Sequence, residues 1–454
     1  MQFKRSSSLL WLLFAVGGCA SWFGADENVT VSGRDAAVPS DAAAADASGR
    51  CTTANCISPA QGSARCEQDV CVVSCETGYH VDAQQCVKDA AFALDVLPFP
   101  QIALGFKHSC ALKADKTVWC WGDGASGGTG LGTSESTATP TKVNGLPDVQ
   151  KLVAAGNETC AVIADGRLYC WGIFLHEQPG PIVPDSARLP RQMTEVGDVT
   201  DVAIGDGHKC VRRRDDGSVL CWGANNHGQL GRGTVSDDEV TPAPALGIRS
   251  TIRIFASGSQ TCAQLADETL RCWGWNKVGQ IGSGSLSPIN QSEPLAPSAL
   301  GAVKHLALDG LGACALKDGG EVWCWGYNAH GSVGLGYTSA DPVLTPRMIP
   351  SLRATGLAGR SLSYCAHATD GLIRCWGNNL DGNLSVQDTR MPVLTPSPVV
   401  GLSDAIALVA SDYHRCAYTA TGPQCWGYNF VGQLGLGSKD ASPNVRPPTA
   451  VLAF

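Results

Sequence analysis

Val202-Ala-Ile-Gly-Asp-Gly-His208-Lys-Cys210, a turn at Asp215-Asp216-Gly217, then Ser218-Val-Leu-Cys221-Trp222-Gly223 and Asn226-His-Gly228-Gln-Leu-Gly231 form one copy of a recurring unit. Cys-Trp-Gly appears seven times, with its cysteine at 120, 170, 221, 272, 324, 375 and 425, so the steps are 50, 51, 51, 52, 51 and 50 residues. Such a period means one supersecondary unit copied seven times, each too small to bury a core except against its neighbours. Short apolar runs bounded by Gly and Asp-Gly turns are strand and hairpin signals. No segment sustains an apolar period of 3.6 residues, so the fold class is all-β.

A second cysteine precedes each Cys-Trp-Gly, giving Cys110/Cys120, Cys160/Cys170, Cys210/Cys221, Cys262/Cys272, Cys314/Cys324, Cys365/Cys375 and Cys416/Cys425. Between Cys160 and Cys170, a three-residue loop Ala164-Asp165-Gly166 suits a hairpin with glycine in the left-handed position. Its closing pair is Ile163 with Arg167, which sets Cys160 opposite Cys170 at a non-hydrogen-bonded site, where side chains approach most closely. The spacing predicts seven disulfides, one in each hairpin. Because these loops are short, each bond should contribute at the lower end of roughly 2–4 kcal/mol.

Further motifs carry a family resemblance. Trp-Gly-x-Asn stands at Trp222, Trp273, Trp325, Trp376 and Trp426; Gly-Gln-Leu-Gly stands at 228–231 and 432–435, with Gly-Gln-Ile-Gly at 279–282. The repeat resembles the regulator of chromosome condensation family, which implies a seven-bladed β-propeller over residues 92–454. Copy two departs after Trp171-Gly172 and has no Gly-Gln-Leu-Gly, which implies an irregular loop in that blade. The resemblance also implies protein–protein interaction through propeller faces and loops, a protein-inhibitor role included, since secreted bacterial members include β-lactamase inhibitors. The eukaryotic namesake's guanine-nucleotide exchange and chromatin binding are opposed by the export signal, the disulfides and the acidity of this chain.

The chain has 454 residues, a net charge of −8, 44% hydrophobic residues and 21 cysteines. No Lys/Arg run offers a nucleic-acid footprint. So many regularly placed cysteines indicate disulfides made outside the cytoplasm. Lys4-Arg5, the apolar run Leu9–Val16 and Gly17-Gly18-Cys19 read as a signal peptide over 1–18. Val16-Gly17-Gly18-Cys19 resembles a bacterial lipobox, which implies lipid attachment at Cys19 and leaves an even twenty cysteines. Residues 19–50 are an Ala/Asp-rich tether that cannot bury enough apolar area to fold. Residues 51–86 carry six cysteines, at 51, 56, 66, 71, 75 and 86, as expected of a small disulfide knot. The tail Cys75-Glu-Thr-Gly-Tyr-His…Cys86 resembles the end of an epidermal-growth-factor-like module. Zinc is the rival reading there, but no Cys-x-x-Cys pair occurs.

The seven tryptophans of Cys-Trp-Gly should face away from their cysteines and fill the core between blades. His108, His208 and His414 stand two residues before a repeat cysteine in three copies, which suits a structural hydrogen bond better than a metal ring. The residue after each Trp-Gly varies around the ring: Asp123, Ile173, Ala224, Trp275, Tyr327, Asn378 and Tyr428. Large aromatics at a variable turn position make Trp275, Tyr327 and Tyr428 candidate partner-binding anchors. Binding specificity is also expected in the polar, Pro-rich connections 173–195, 232–246 and 283–298. No phosphate-cradling loop, His-Glu-x-x-His or Gly-x-Ser-x-Gly occurs, so no catalytic residue, metal or cofactor is expected. Because Pro447–Phe454 matches the Pro140-Thr-Lys-Val opening of the second copy, the C-terminal strand is expected to complete a blade begun near the N-terminus. The whole reads as a monomeric, non-catalytic lipoprotein of the bacterial cell envelope, anchored in the outer membrane or at the cell surface, that binds a protein partner. A carbohydrate-binding or glycan-degrading propeller is the alternative.

Overall fold

The computed structural model describes residues 101–173, 185–286, 288–386, 391–403, 405–440 and 445–452 in full, together with four short strands nearer the N-terminus. The chain divides into two units, Met1–Val87 and Lys88–Phe454. In the first, Gly62–Glu67 pairs antiparallel with Val70–Cys75, bringing Cys66 opposite Cys71, and Tyr79–Asp82 neighbours Gln85–Lys88 in a second sheet. The signal peptide, Cys19, the tether and the side chains of the six-cysteine module lie outside the described residues.

The second unit is the seven-bladed propeller. Blade I shows the plan: Gln101–Leu104, His108–Leu112, Val118–Gly122 and Thr137–Lys142 pair in chain order as one antiparallel sheet. Blades II to VII follow over 149–193, 199–244, 251–295, 305–353, 354–398 and 405–450. One continuous strand, Ser339–Arg360, serves as the outer strand of blade V and the inner strand of blade VI. The first strand of every blade lines a central channel, and its cavity measures about 330 Å³. Among the described residues no helix is long and apolar enough to cross a membrane.

Hairpin chemistry sets the register. Ile163 N–H donates to the Arg167 carbonyl at 2.9 Å, and Gly166 sits at φ +87°. A side chain at 166 would also collide with Asp198. Counting back from that closing pair, Cys160 faces Cys170. The same register recurs around the ring, and each pair is bonded within its own hairpin. The seven bonds are Cys110–Cys120, Cys160–Cys170, Cys210–Cys221, Cys262–Cys272, Cys314–Cys324, Cys365–Cys375 and Cys416–Cys425. Their Cα atoms stand 4.0–4.1 Å apart, the short spacing of non-hydrogen-bonded partners.

The cores lie between blades. Alternation along the third strand turns each tryptophan toward the preceding blade and each cysteine toward the next. Trp171 of blade II thus packs on Cys110, Cys120 and Leu112 of blade I. Trp325 of blade V shares a core with Cys262 and Cys272 of blade IV. Cys314 and Cys324 of blade V, Cys365 and Cys375 of blade VI, Trp376 and Trp426 all belong to one larger core spanning blades V to VII. Trp121 of blade I packs on Cys416, Cys425 and Leu434 of blade VII. All seven indoles are at most 2% exposed.

Two expectations need correction. The C-terminal strand, Arg446–Ala450, pairs with Gly422–Gly427 and completes blade VII; it does not join a blade begun near the N-terminus. Its likeness to Pro140–Val143 arises because both are outer strands, which follow Cys-Trp-Gly within the same blade. The ring closes instead by packing of blade I on blade VII. Likewise, the connections 232–246 and 283–298 contain the outer strands Glu239–Pro244 and Asn290–Leu295. Proline and polar residues suit an edge strand, which leaves one row of backbone groups to solvent, and this disguised them as loops.

Candidate functional site

At one end of the channel lie the turns between first and second strands and the loops between third and fourth strands. These make up the loop face; the hairpin tips and the connections between blades make up the other. The loop face is built by a repeated seam. In blade III, Asn225 Oδ1 accepts the Leu230 N–H at 3.2 Å, while its Nδ2 donates to the Thr234 carbonyl, folding the Gly-Gln-Leu-Gly loop back on itself. The Gln229 carbonyl then accepts both the Trp273 Nε1–H at 2.8 Å and the Thr261 hydroxyl at 3.0 Å from blade IV. Gly128 and Gln433 receive the equivalent pairs from blades II and I. Gly231, at φ +70°, closes the motif because the Trp273 indole lies against it, and a Cβ there would come within 2.8 Å.

The three histidines complete this seam. His108 Nε2 lies 2.8 Å from Thr159, His208 Nε2 lies 2.7 Å from Thr261, and His414 Nε2 lies 2.7 Å from Ser109, each hydroxyl belonging to the next blade. Each hydroxyl spends its proton on a loop carbonyl, so the imidazole must be the donor, protonated on Nε2. A second proton on Nδ1 would be buried. Burial accordingly depresses the pKa of His108 to about 4 and of His208 and His414 to about 3. Two of the four blades without this histidine use other pairs: Glu158 with Lys209, and Ser363 with Arg415. Arg415 also donates to the Asn383 carbonyl, and Trp426 Nε1 is left without a partner.

Arg360 closes the channel at the loop face. From blade VI it donates Nε to Asp412 of blade VII at 2.9 Å, Nη1 to Ser257 of blade IV at 2.9 Å and Nη2 to Asp206 of blade III at 3.1 Å. Its guanidinium carbon lies 5.8 Å from the Phe106 ring of blade I. Burial works against its charge, but the Asp412 and Asp206 carboxylates outweigh it and hold the pKa above the ordinary arginine value. The sequence reading missed this residue. It occupies the position three before the seam residue, where Gly105 and Gly205 are required because a Cβ would strike the ring of His108 or His208. Blade VI has Ser363 in place of histidine and arginine three residues before it, whereas blade VII fits the small Ser411 beside His414, with Oγ 2.9 Å from Nδ1.

Trp275, Tyr327 and Tyr428 occupy equivalent places on the loop face and are half-buried. The structure does not gather them into one cluster. Trp275 lies against His227, with ring centroids 5.4 Å apart, and Tyr327 against His330 at 6.1 Å. Tyr428 joins Tyr413 and Phe430 in a trio of near-perpendicular rings 6.0–6.1 Å apart. Lys107 Nζ of blade I lies 5.3 Å from the Phe430 ring. Among the variable residues at this position, Asp123, Ile173 and Asn378 are half-buried and Ala224 is buried.

The repeat cysteines take no part in this face. Cys272, Cys324 and Cys375, each one residue before a core tryptophan, are fully buried, as are their partners Cys262, Cys314 and Cys365. They staple hairpins and present nothing to a partner. Among the described residues, the side chains grouped closely enough to hold a metal are Glu158, Cys160 and Cys170, whose two sulfurs are bonded to each other.

Models of the Regulator of chromosome condensation (RCC1) repeat match residues 101–127, 199–229 and 312–332, and residues 115–163 and 216–264. The Ultraviolet-B receptor UVR8 of Arabidopsis thaliana is 30% identical over 355 residues, 74% of this chain and 67% of that receptor. The E3 ubiquitin-protein ligase HERC2 of Homo sapiens is 28% identical over 80% of this chain, which spans 7% of the ligase. Among solved structures, Prp20p of Saccharomyces cerevisiae has a TM-score of 0.60 at 21% identity, covering 74% of this chain and 86% of its own. Human WBSCR16 also has a TM-score of 0.60 at 21% identity, over 70% and 85%. With seven four-stranded blades, seven Cys-Trp-Gly strands and interlocking glycine-rich loops, the chain belongs to the regulator of chromosome condensation repeat family.

Proposed function

We propose that this chain is an exported, non-catalytic binding propeller whose loop face engages a protein partner, held at the bacterial cell envelope by lipid on Cys19. The observation that carries the reading is the column after Trp-Gly. Its neighbours are fixed by the seams, yet this column varies and places Trp275, Tyr327 and Tyr428 half-exposed on one face. Aromatics on a rigid support make good anchors, since they offer large contact area at little entropic cost. Several titratable side chains on the loop face are engaged in structure. The histidines bond to hydroxyls, and Asp309, raised to about 6 by burial, accepts the Leu311 N–H at 2.8 Å. Protein partners are also reported for a structural relative: yeast Prp20 has been solved with Kap60 bound, and its binding to Gsp1p and histones has been studied.

The test is a cross-linking pull-down from the native envelope comparing the wild type with a Trp275→Ala/Tyr327→Ala/Tyr428→Ala variant. Half-exposed rings contribute modestly to folding, so the melting temperature should fall by only a few degrees. Loss of hot-spot anchors should weaken capture of a partner roughly a hundredfold. Unchanged capture by the folded variant would refute the anchors. Capture of a glycan instead of a protein would favour a carbohydrate-binding propeller, which would use the same rings.

A further inference from the structure

In every blade the first-strand residue opposite the repeat cysteine lines the central chamber. It is alanine in four blades (Ala103, Ala203, Ala307 and Ala358), valine at 153 and 409, and phenylalanine at 255. Side chains so short cannot meet across the axis, and the apolar walls enclose about 330 Å³. That is the lower end of the roughly 300–1,000 Å³ of small-molecule sites. Water against such walls is exchanged favourably for an apolar body. The two ends of the chamber differ. Toward the hairpin tips, Lys151 pairs with Asp201 at 2.8 Å, and Asp201 and Gln101 accept the backbone N–H groups of Ile254 and Leu152. These groups are matched to one another. At the loop-face end, Arg360 and Ser257 line the chamber and are 8% and 2% exposed. Arg360 spends three of its five N–H groups, on Asp412, Ser257 and Asp206. Two N–H groups and the Ser257 hydroxyl proton remain, so this end has donors to spare. Asp412 and Asp206 offset the guanidinium charge, and the donors therefore suit a neutral acceptor better than an anion.

We propose that the chamber is a binding site for a neutral, mainly apolar ketone or ester. The carbonyl oxygen accepts hydrogen bonds from Arg360 and Ser257, and the apolar body lies between the alanines, the valines and Phe255. Such a site works independently of a protein partner on the loop face.

The test titrates the full folded chain with prodan, a neutral naphthyl ketone whose fluorescence brightens and shifts to the blue out of water. Saturable binding is expected. Acetylnaphthalene should displace the dye about fivefold better than ethylnaphthalene, which lacks the acceptor, the factor that one hydrogen bond supplies. Naphthoate should compete no better than ethylnaphthalene. Ala358→Leu, and more strongly Val153→Phe/Val409→Phe, fill the chamber; the double variant should weaken the dye at least about tenfold, with near-ultraviolet dichroism reporting the fold. Ala358→Leu, the smaller change, gives the reading should the double variant not fold. The Trp275→Ala/Tyr327→Ala/Tyr428→Ala variant should bind the dye as the wild type does. No saturable binding, undiminished binding in a folded chamber-filling variant, equal displacement by the two naphthalenes, or preference for naphthoate overturns the proposal.

Discussion

Replacing Arg360 by alanine is expected to destabilise the propeller by about 3 kcal/mol, the scale on which removing one partner from a buried ion-pair network acts. Three hydrogen bonds to three other blades disappear together. Asp412, three-quarters buried and also bonded by the Ser361 hydroxyl, loses its counter-charge. Asp206 is half-exposed and regains water, so its share of the loss is small. For a domain of this size the melting temperature should fall by roughly 5 °C. Arg360→Lys keeps the charge but reaches only one acceptor well, and should recover less than half of the loss. A melting temperature unchanged in Arg360→Ala would show that the mouth is held by packing alone.

Acid should begin to destabilise this protein below about pH 6.5, before carboxylates ordinarily titrate. His108, His208 and His414 have folded-state pKa values of about 4, 3 and 3, against 6.5 in the unfolded chain. Below pH 6.5 the unfolded state therefore binds protons that the folded state refuses. Stability falls with pH by about 1.4 kcal/mol per unit for each histidine. Asp309 opposes them, because its pKa, raised to about 6 by burial, makes the folded state the better proton acceptor between pH 6 and 4. The net slope is about 3 kcal/mol per pH unit, and two units of it rival the whole stability of an ordinary domain. The expected acid midpoint lies between pH 4 and 5. His208→Gln, which installs the side chain that Gln260 supplies at the same place in blade IV, should flatten the slope by about half. Denaturant midpoints that stay level from pH 7 to 4.5 would show that these imidazoles take up protons in the fold.

The repeat made much of this architecture legible. Cys-Trp-Gly at 51-residue steps set the number of blades, and counting outward from Ala164-Asp165-Gly166 set the cysteine register, because short hairpins are governed by local rules. What stayed hidden depends on contacts between copies. His208 and Thr261 stand 53 residues apart and meet across a seam; nothing within one repeat marks them as partners. The outer strands were missed because edge strands tolerate the polar and proline residues that also mark loops. Aligning the copies would have exposed Arg360, the single arginine in a column of Gly105, Ala155, Gly205, Ser257, Asp309 and Ser411. Its role still depended on the channel, where side chains from five blades converge. The binding anchors were legible as a variable column, and the structure added that Tyr428 belongs to a trio with Tyr413 and Phe430 while Trp275 and Tyr327 stand apart.

The claim that the loop face is the working surface can be tested in place. A photo-crosslinking phenylalanine analogue would be introduced at Tyr327 or Tyr428 on the loop face, and at Asp267 or Asp318 on the exposed hairpin tips of the other face, in cells with an intact envelope. Protein adducts from 327 and 428, absent from 267 and 318, are the predicted result. Adducts from the hairpin tips, with none from the loop face, would contradict it.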